Sequence, residues 1–201
     1  MTQMLENDVI KVVQHFAREN SKKDDIHGFS HVERVYDICI KMGKELNANM
    51  RVLKIAALLH DVGRIKAEKY NKLTNHAEVS AEMALEVLNV KNFNLPQDDI
   101  NGIIHAIKAH SFSNDIYPET LEAKILSDAD KLDALGAIGL YRTIGFTVQN
   151  KGGIDTVIEH LENKILKLKD QMNLAVSKEI AEKRQQIILE FYNKIKSNLE
   201  L

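Results

Sequence analysis

His60 and Asp61 close the apolar run Ile55-Ala56-Ala57-Leu58-Leu59 and precede Val62-Gly63-Arg64. An imidazole and a carboxylate at the end of a helix buried nearly all round lose hydrogen bonds to water, so each needs a partner. Neighbours on a helix point about 100° apart. The two converge on one ion only where that ion sits at the helix end, and Gly63 opens the space there. His31 stands near another helix start, where the positive helix end favours the neutral imidazole that binds metal. Asp130 lies in Ser127-Asp128-Ala129-Asp130-Lys131-Leu132-Asp133, with Ile125 and Leu126 before it and Leu132, Leu135 and Ile138 after it. Those apolar flanks argue for a buried neighbourhood rather than a solvated acidic helix end. Asp130 and Asp133 share a helix face, and Asp128 does not.

Two histidines with two aspartates make a mixed nitrogen and oxygen donor set. Imidazole suits manganese, iron, cobalt, nickel or zinc, and disfavours calcium and magnesium. About four protein ligands on a six-coordinate ion leave positions for water and substrate. An ion held so acidifies water and polarises an acceptor oxygen, which suits hydrolysis of phosphate esters and anhydrides.

His76, at a helix start, and His110, at a helix end, form a second tier of candidates. His105 is five residues before His110 and points about 140° away from it, so one of the two faces a shared site. His110 is favoured because a helix end opens into a cavity. His15, His27 and His160 lack such a context and are expected on the surface. Lys131 and Arg34, followed by Arg64 and Lys108, are the cations placed to offset phosphate charge, against the plainer reading of solvated surface cations. Asp61 and Glu78 are the candidates for direct catalytic work, Glu78 in proton transfer. Glu78 is three residues from Asn75, so helix capping is its simpler explanation.

The elements that must position these groups are helical. Apolar residues recur at three- and four-residue spacing almost everywhere, and no segment alternates strictly. Nine helices are expected, the first over 3–19 and the second over 31–46 with Ser30-x-x-Glu33 as a capping box. A third over 49–61 exits at Gly63, a fourth over 76–89 opens at Asn75, and a fifth over 96–110 opens at Pro96. A sixth and seventh are expected over 118–131 and 133–147. The stretches 19–28 and 64–74 read as loops. Two long amphipathic helices finish the chain, one marked by Ile154, Ile158, Leu161, Ile165, Leu168 and Met172, the other by Ile180, Ile187, Ile188, Phe191, Ile195 and Leu199. They suit an antiparallel hairpin or a dimer face. No composition break separates them from the rest, so the expectation is one all-α domain over 1–201, with the metal site within 26–135 and the C-terminal helices over 154–199.

Composition sets outer bounds. Of 201 residues, 44% are hydrophobic and 28% charged, enough for a sizeable core. A net charge of −2 gives no global field for nucleic acid or an anionic membrane. The single cysteine, Cys39, falls among Val35, Ile38 and Met42 and reads as a small core residue, as a reducing compartment allows. No targeting pattern is visible at the N-terminus, and the purely apolar run 55–59 is far too short to span a bilayer. These features fit a cytoplasmic protein and leave monomer or homodimer open; the small-molecule phosphate substrate is the expectation of the metal site above.

The order His31, His60-Asp61, Asp130 resembles the HD-domain superfamily of metal-dependent phosphohydrolases. The contexts Gly28-Phe29-Ser30-His31-Val32-Glu33-Arg34-Val35, Ala57-Leu58-Leu59-His60-Asp61-Val62-Gly63 and Asp128-Ala129-Asp130-Lys131-Leu132-Asp133-Ala134-Leu135-Gly136-Ala137-Ile138-Gly139 are similar to small bacterial and archaeal members of the YpgQ and YedJ type. Lys167-Leu168-Lys169-Asp170-Gln171-Met172-Asn173 and Ala181-Glu182-Lys183-Arg184 extend the likeness to the tail. The resemblance implies a helical bundle with ligands on facing helices, and it selects Asp130 over Asp128. It implies activity on nucleotides, with triphosphate cleaved to monophosphate and pyrophosphate, typically with manganese. Other divalent transition ions, a phosphatase or phosphodiesterase activity, and a regulatory module with little turnover are the alternatives. His76 and His110 match positions that hold a second ion in some members, or that contact phosphate where one ion binds.

Overall fold

The computed structural model describes residues 6–70, 74–91, 93–111 and 114–199. Among them the chain forms ten α-helices and one 3-10 segment, with no strand. The helices are α1 Glu6–Glu19, α2 Phe29–Glu45, α3 Met50–Leu59, α4 Arg64–Tyr70, α5 His76–Val90, α6 Gln97–His110, α7 Leu121–Asp133, α8 Gly136–Gln149, α9 Ile154–Asn163 and α10 Ala175–Leu199. The 3-10 segment is Ile165–Gln171. The all-α expectation holds. The chain divides into two compact units, Met1–Ser127 and Asp128–Leu201.

In the first unit α3 is the central helix. Asn49 caps it, its side chain accepting the N–H groups of Arg51 and Val52. The same side chain donates to Asp99, which also takes Arg51 at 3.0 Å. Val52, Leu53 and the whole run from Ile55 to Leu59 are buried, and α3 packs against α1, α2, α5 and α6. Burying one such leucine or isoleucine contributes roughly 1.5–3 kcal/mol. The end of α3 is therefore fixed by its surroundings, and so are the two residues that follow it. Cys39 is buried in α2, as expected of a core residue. Gly63 lets the chain leave α3 against the backbone of α5. A Cβ there would fall 2.3 Å from the Ser80 nitrogen, and the Gly63 N–H instead donates to Ser80 Oγ at 2.9 Å.

Several elements differ from the sequence expectation. The expected loop 64–74 contains α4, and its residues 71–73 lie outside the described ones, as do residues 3–5 of the first expected helix. In Arg64-Ile65-Lys66-Ala67-Glu68-Lys69-Tyr70 nearly every residue is a good helix former, but Ala67 alone is buried, too little to leave an apolar period. The helix α2 begins at Phe29 with Gly28 as its N-cap, so Ser30-x-x-Glu33 forms no capping box. Glu33 instead accepts Arg18 at 3.1 Å. The other helix limits shift by up to three residues.

In the second unit α8 and the 3-10 segment pack against α10, and α9 packs against both α8 and the 3-10 segment. The first expected C-terminal helix breaks at Lys164 (φ −130°, ψ −63°), beyond which the chain winds as a 3-10 helix. Ile165 and Leu168 are three apart, which brings both to one side in a three-residue turn, and both are buried. Gly136 opens α8 with φ +77°, a conformation L side chains rarely adopt. Ile138 was expected in a buried neighbourhood but is 50% exposed, and Ile187 and Leu199 of the α10 stripe are exposed too. Leu199 shares a helix face with the buried Ala181 and Ile188 but is the last residue of α10, whereas Ile187 lies about 100° round the helix from Ile188.

Candidate metal centre

Four helix ends in the first unit bring four histidines together around Asp61. His31 is the third residue of α2 and His76 the first of α5, so both sit at positive helix ends. His60 is the C-cap of α3 and His110 the last residue of α6. The rings meet edge to face in series: His31 with His60 at 5.3 Å between centroids, His60 with His110 at 4.9 Å, and His110 with His76 at 5.3 Å.

The bonding fixes the tautomers of the two rings at helix C-termini. His60 Nδ1 donates to the Ala57 carbonyl at 2.8 Å, and His110 Nδ1 donates to the Ile107 carbonyl at 2.5 Å. Each then carries its lone pair on Nε2. His60 Nε2 faces His31 Nε2 at 3.4 Å. Asp61 Oδ2 lies 3.6 Å from His31 Nε2 and 3.9 Å from His60 Nε2. Asp61 Oδ1 lies 3.4 Å from His76 Nε2 and 3.8 Å from His110 Nε2.

These donors fit a divalent transition ion. His31, His60 and Asp61 form one triad whose ligand atoms lie within 4.8 Å of one another, and Asp61, His76 and His110 form another. All but His76 are buried. Histidine nitrogens with a carboxylate oxygen form the set that favours ions softer than calcium or magnesium. His60 and His110 each anchor the second ring nitrogen on a backbone carbonyl, as metal-binding imidazoles do. Burial alone pushes the Asp61 carboxyl up, but Arg64 and the imidazoles of His60, His76 and His31 outweigh it and hold the group well below the usual carboxylate range. Asp61 is thus an anion inside the protein.

The acidic segment around Asp130 is largely occupied with other work. Asp128 is fully buried and accepts three N–H bonds, from the Asn173 backbone at 2.8 Å, the Asn173 side chain at 2.8 Å and the Leu174 backbone at 2.9 Å. Asp133 accepts Arg142 at 2.7 Å. Asp130 is half-buried on α7.

The other candidates divide as follows. His110 joins the cluster, whereas His105 accepts the Glu119 N–H at 3.0 Å. His15 pairs with Glu19 on the surface. His160 was expected on the surface but is half-buried, with its ring edge on Phe146 at 5.8 Å. Burial pushes its pKa down, and Lys164 adds to the effect. Asn75 caps α5, its side chain accepting the Ala77 N–H at 2.9 Å, but Glu78 does not reach back to complete the box. Its carboxylate takes Lys108 at 2.9 Å and Asn114 at 3.0 Å, and these bonds outweigh its burial to lower its pKa. Lys131 is buried rather than a surface cation, and burial lowers its pKa although Asp128 and Asp130 pull the other way. Arg34 is half-buried on α2. Arg64 meets Asp61 through two parallel bonds, Nε to Oδ2 and Nη2 to Oδ1, both 2.9 Å. Sequence reasoning placed Arg64 with substrate and missed this pair, although the three-residue spacing from Asp61 was its signal.

A helical bundle whose helix ends present this His–Asp cluster is built to hold a divalent metal ion. The chain belongs to the HD-domain family, whose model matches residues 28–135. Along nearly its whole length it is similar to the uncharacterized protein YpgQ of Bacillus subtilis, at 29% identity over 195 residues covering 93% of this chain and 90% of YpgQ. The crystal structure of YpgQ in complex with ADP superposes with a TM-score of 0.76 at 26% identity, over 97% of each chain. An HD-superfamily hydrolase from Bacillus thuringiensis shares the fold, with a TM-score of 0.73 at 24% identity over 98% of this chain and 99% of that one. Among the described residues no helix is long and apolar enough to cross a membrane.

Proposed function

We propose that His31, His60, Asp61 and Asp130 hold a divalent transition ion, manganese before iron, cobalt, nickel or zinc. The enzyme then hydrolyses nucleoside triphosphates to monophosphate and pyrophosphate. The observation that carries the metal reading is the approach of His60 Nε2 and His31 Nε2 to 3.4 Å, with Asp61 Oδ2 3.6 Å from His31 Nε2 and 3.9 Å from His60 Nε2. The nucleotide reading rests on the ADP complex of YpgQ. Asp130 is preferred to Asp128 because the Asp128 carboxylate is taken up by Asn173 and Leu174.

When bound, the ion supplies an acidified water and a Lewis acid for a phosphoryl oxygen. The chain's own residues do the rest. Asp61 keeps its charge because Arg64 and the surrounding imidazoles favour the anion. His60 and His110 keep Nε2 turned inward because Nδ1 is tied to backbone. His76 and His110 serve a second ion or a phosphate oxygen. Glu78 is a carboxylate at neutral pH, and its lowered pKa makes it a weak proton acceptor. We assign it the orientation of Lys108. Lys108, Lys131, Arg34 and Arg64 are the cations proposed to meet phosphate.

The test is a panel of nucleoside mono-, di- and triphosphates and cyclic nucleotides with manganese, resolved for phosphate against pyrophosphate. Pyrophosphate from triphosphates is the expected product. Orthophosphate alone, or cyclic-nucleotide cleavage, overturns the substrate and leaves the metal reading standing. No turnover with bound ion makes the protein a metal-binding regulatory module.

A further inference from the structure

The pair between Arg64 and Asp61 has a consequence for the order in which ligands bind. A carboxylate offers about four lone-pair positions on its two oxygens. The Arg64 guanidinium takes one on each, at 2.9 Å and 2.9 Å. The same two oxygens face the imidazole nitrogens of both candidate triads. Arg64 Nη2 also stands 3.3 Å from His76 Nε2, a donor aimed at a nitrogen a metal would use. The guanidinium therefore does for Asp61 and His76 what a cation in the triads would do. It neutralises the carboxylate and supplies a positive partner to the ring nitrogen.

Two cations cannot share this carboxylate without cost. A divalent ion between His31, His60 and Asp61 Oδ2 adds two positive charges within a few ångströms of the guanidinium, in a buried site where water screens them poorly. Arg64 has somewhere to go. It is the first residue of the seven-residue α4, and its side chain is 22% exposed while that of Asp61 is 2% exposed. A guanidinium released at the rim of a cationic site is well shaped for a phosphate oxygen pair.

We propose that Arg64 is an exchangeable counter-ion of Asp61. It holds the carboxylate until a divalent cation arrives, and cation entry frees its guanidinium for the phosphate of the substrate, so metal loading precedes and favours anion binding. The inference rests on the metal-site reading above, and the experiment separates the two.

The probe is Mn2+ itself, titrated by calorimetry into the metal-stripped wild type, Arg64→Gln and Arg64→Lys, with circular dichroism and melting as folding controls. Arg64→Gln is expected to bind Mn2+ roughly tenfold tighter than wild type, a typical coupling between linked sites. Arg64→Lys, which keeps charge without the two-pronged fit, is expected between them. Equal affinity in all three overturns the exchange and leaves the metal site intact. Weaker binding by folded Arg64→Gln overturns it too, since Arg64 then supports the ligands. No binding by wild type overturns the metal reading and the exchange together. A wild-type measurement needs no variant to fold. In 15N NMR the Arg64 Nε–H is expected as a slowly exchanging signal that moves toward the solvent-exposed arginines after one equivalent of Zn2+. A signal that stays in place while Zn2+ binds overturns the proposal.

Discussion

Asp61 and Asp128 are both buried carboxylates, and the groups around them set them apart. Asp128, at the start of the second unit, is filled by donors of the chain itself, two of them backbone N–H groups of Asn173 and Leu174. Those donors are fixed by the fold, and no ligand can replace them without unfolding the turn before α10. Asp61, in the first unit, is faced by side-chain nitrogens of four histidines and by a guanidinium. Such partners can rotate, change protonation or give way to an ion. A buried carboxylate thus reads as structural where backbone amides saturate it, and as a ligand where imidazoles converge on it.

The strongest way to break that contrast is Asp61→Ala. It removes the one ligand common to both triads. Mn2+ affinity and turnover are expected to fall by at least the roughly 100-fold that loss of a supporting contact can cost. The fold should remain, because Arg64 can turn its charge to solvent. Calorimetry and a turnover assay check this, and a variant that keeps full turnover overturns the ligand assignment.

Asp128→Ala probes the other side. It leaves the N–H groups of Asn173 and Leu174 without their carboxylate, at a cost of about 3 kcal/mol. For a chain of this size that is a melting-point drop of about 6–12 °C. The Mn2+ affinity of the folded variant is expected at the wild-type value. A variant with unchanged melting but lost metal binding would exchange the roles of the two aspartates.

Gly63→Ala sharpens the contrast by moving the functional carboxylate without touching it. The added Cβ would meet Ser80 N at 2.3 Å and Val79 C at 2.6 Å, backbone atoms that cannot step aside cheaply. We expect a cost of about 1–3 kcal/mol in urea unfolding. Weakened Mn2+ binding is expected with it, because Asp61 and Arg64 flank the displaced residue. Unchanged affinity would mean that the exit from α3 does not set the position of Asp61.

Much of this contrast was legible in the sequence. The run Ile55–Leu59 announced a buried helix, so His60 and Asp61 at its end needed a partner. His31 and His76 were readable as ring donors because each opens a helix. Other features depend on residues far apart in the chain. Asp128 is satisfied by Asn173, 45 positions later, and nothing local to Asp128 indicates it. Asn75 caps α5 as its spacing suggested, but Glu78 is held by Asn114, 36 positions away, so the reciprocal half of that box does not form. The helix α4 stayed hidden because Ala67 is its one buried residue. The α10 stripe shows the converse: a clean helical period in which Ile188 is buried while Ile187 and Leu199 are exposed. Periodicity reports which face a helix could bury, and tertiary packing decides how much of that face is covered.

The smallest expected effect concerns Asp24, a carboxylate between the two extremes. Its Oδ1 accepts backbone N–H groups, like Asp128, from Ile26 at 2.9 Å and His27 at 2.7 Å, but it is half-buried. It shapes the turn that delivers Gly28 and hence the start of α2, where a Cβ at Gly28 would lie 2.6 Å from the Lys22 carbonyl oxygen. Burial raises its pKa, but the N–H groups of His27 and Ile26, with the charges of His27 and Lys22, more than offset this and leave it below the usual aspartate value. A depressed folded-state pKa contributes stability that is fully present above the unfolded value and is lost as pH falls through the folded value. Solvent exposure keeps that contribution under about 1 kcal/mol. Asp24→Asn keeps an acceptor oxygen and removes the charge, so its melting deficit should be present at neutral pH and be lost as the pH falls through the lowered folded-state value. Melting curves of both proteins across that range check the sign. A deficit that persists at the acid end would assign the stabilisation to side-chain geometry rather than charge, and would place Asp24 closer to a neutral turn residue than to Asp128.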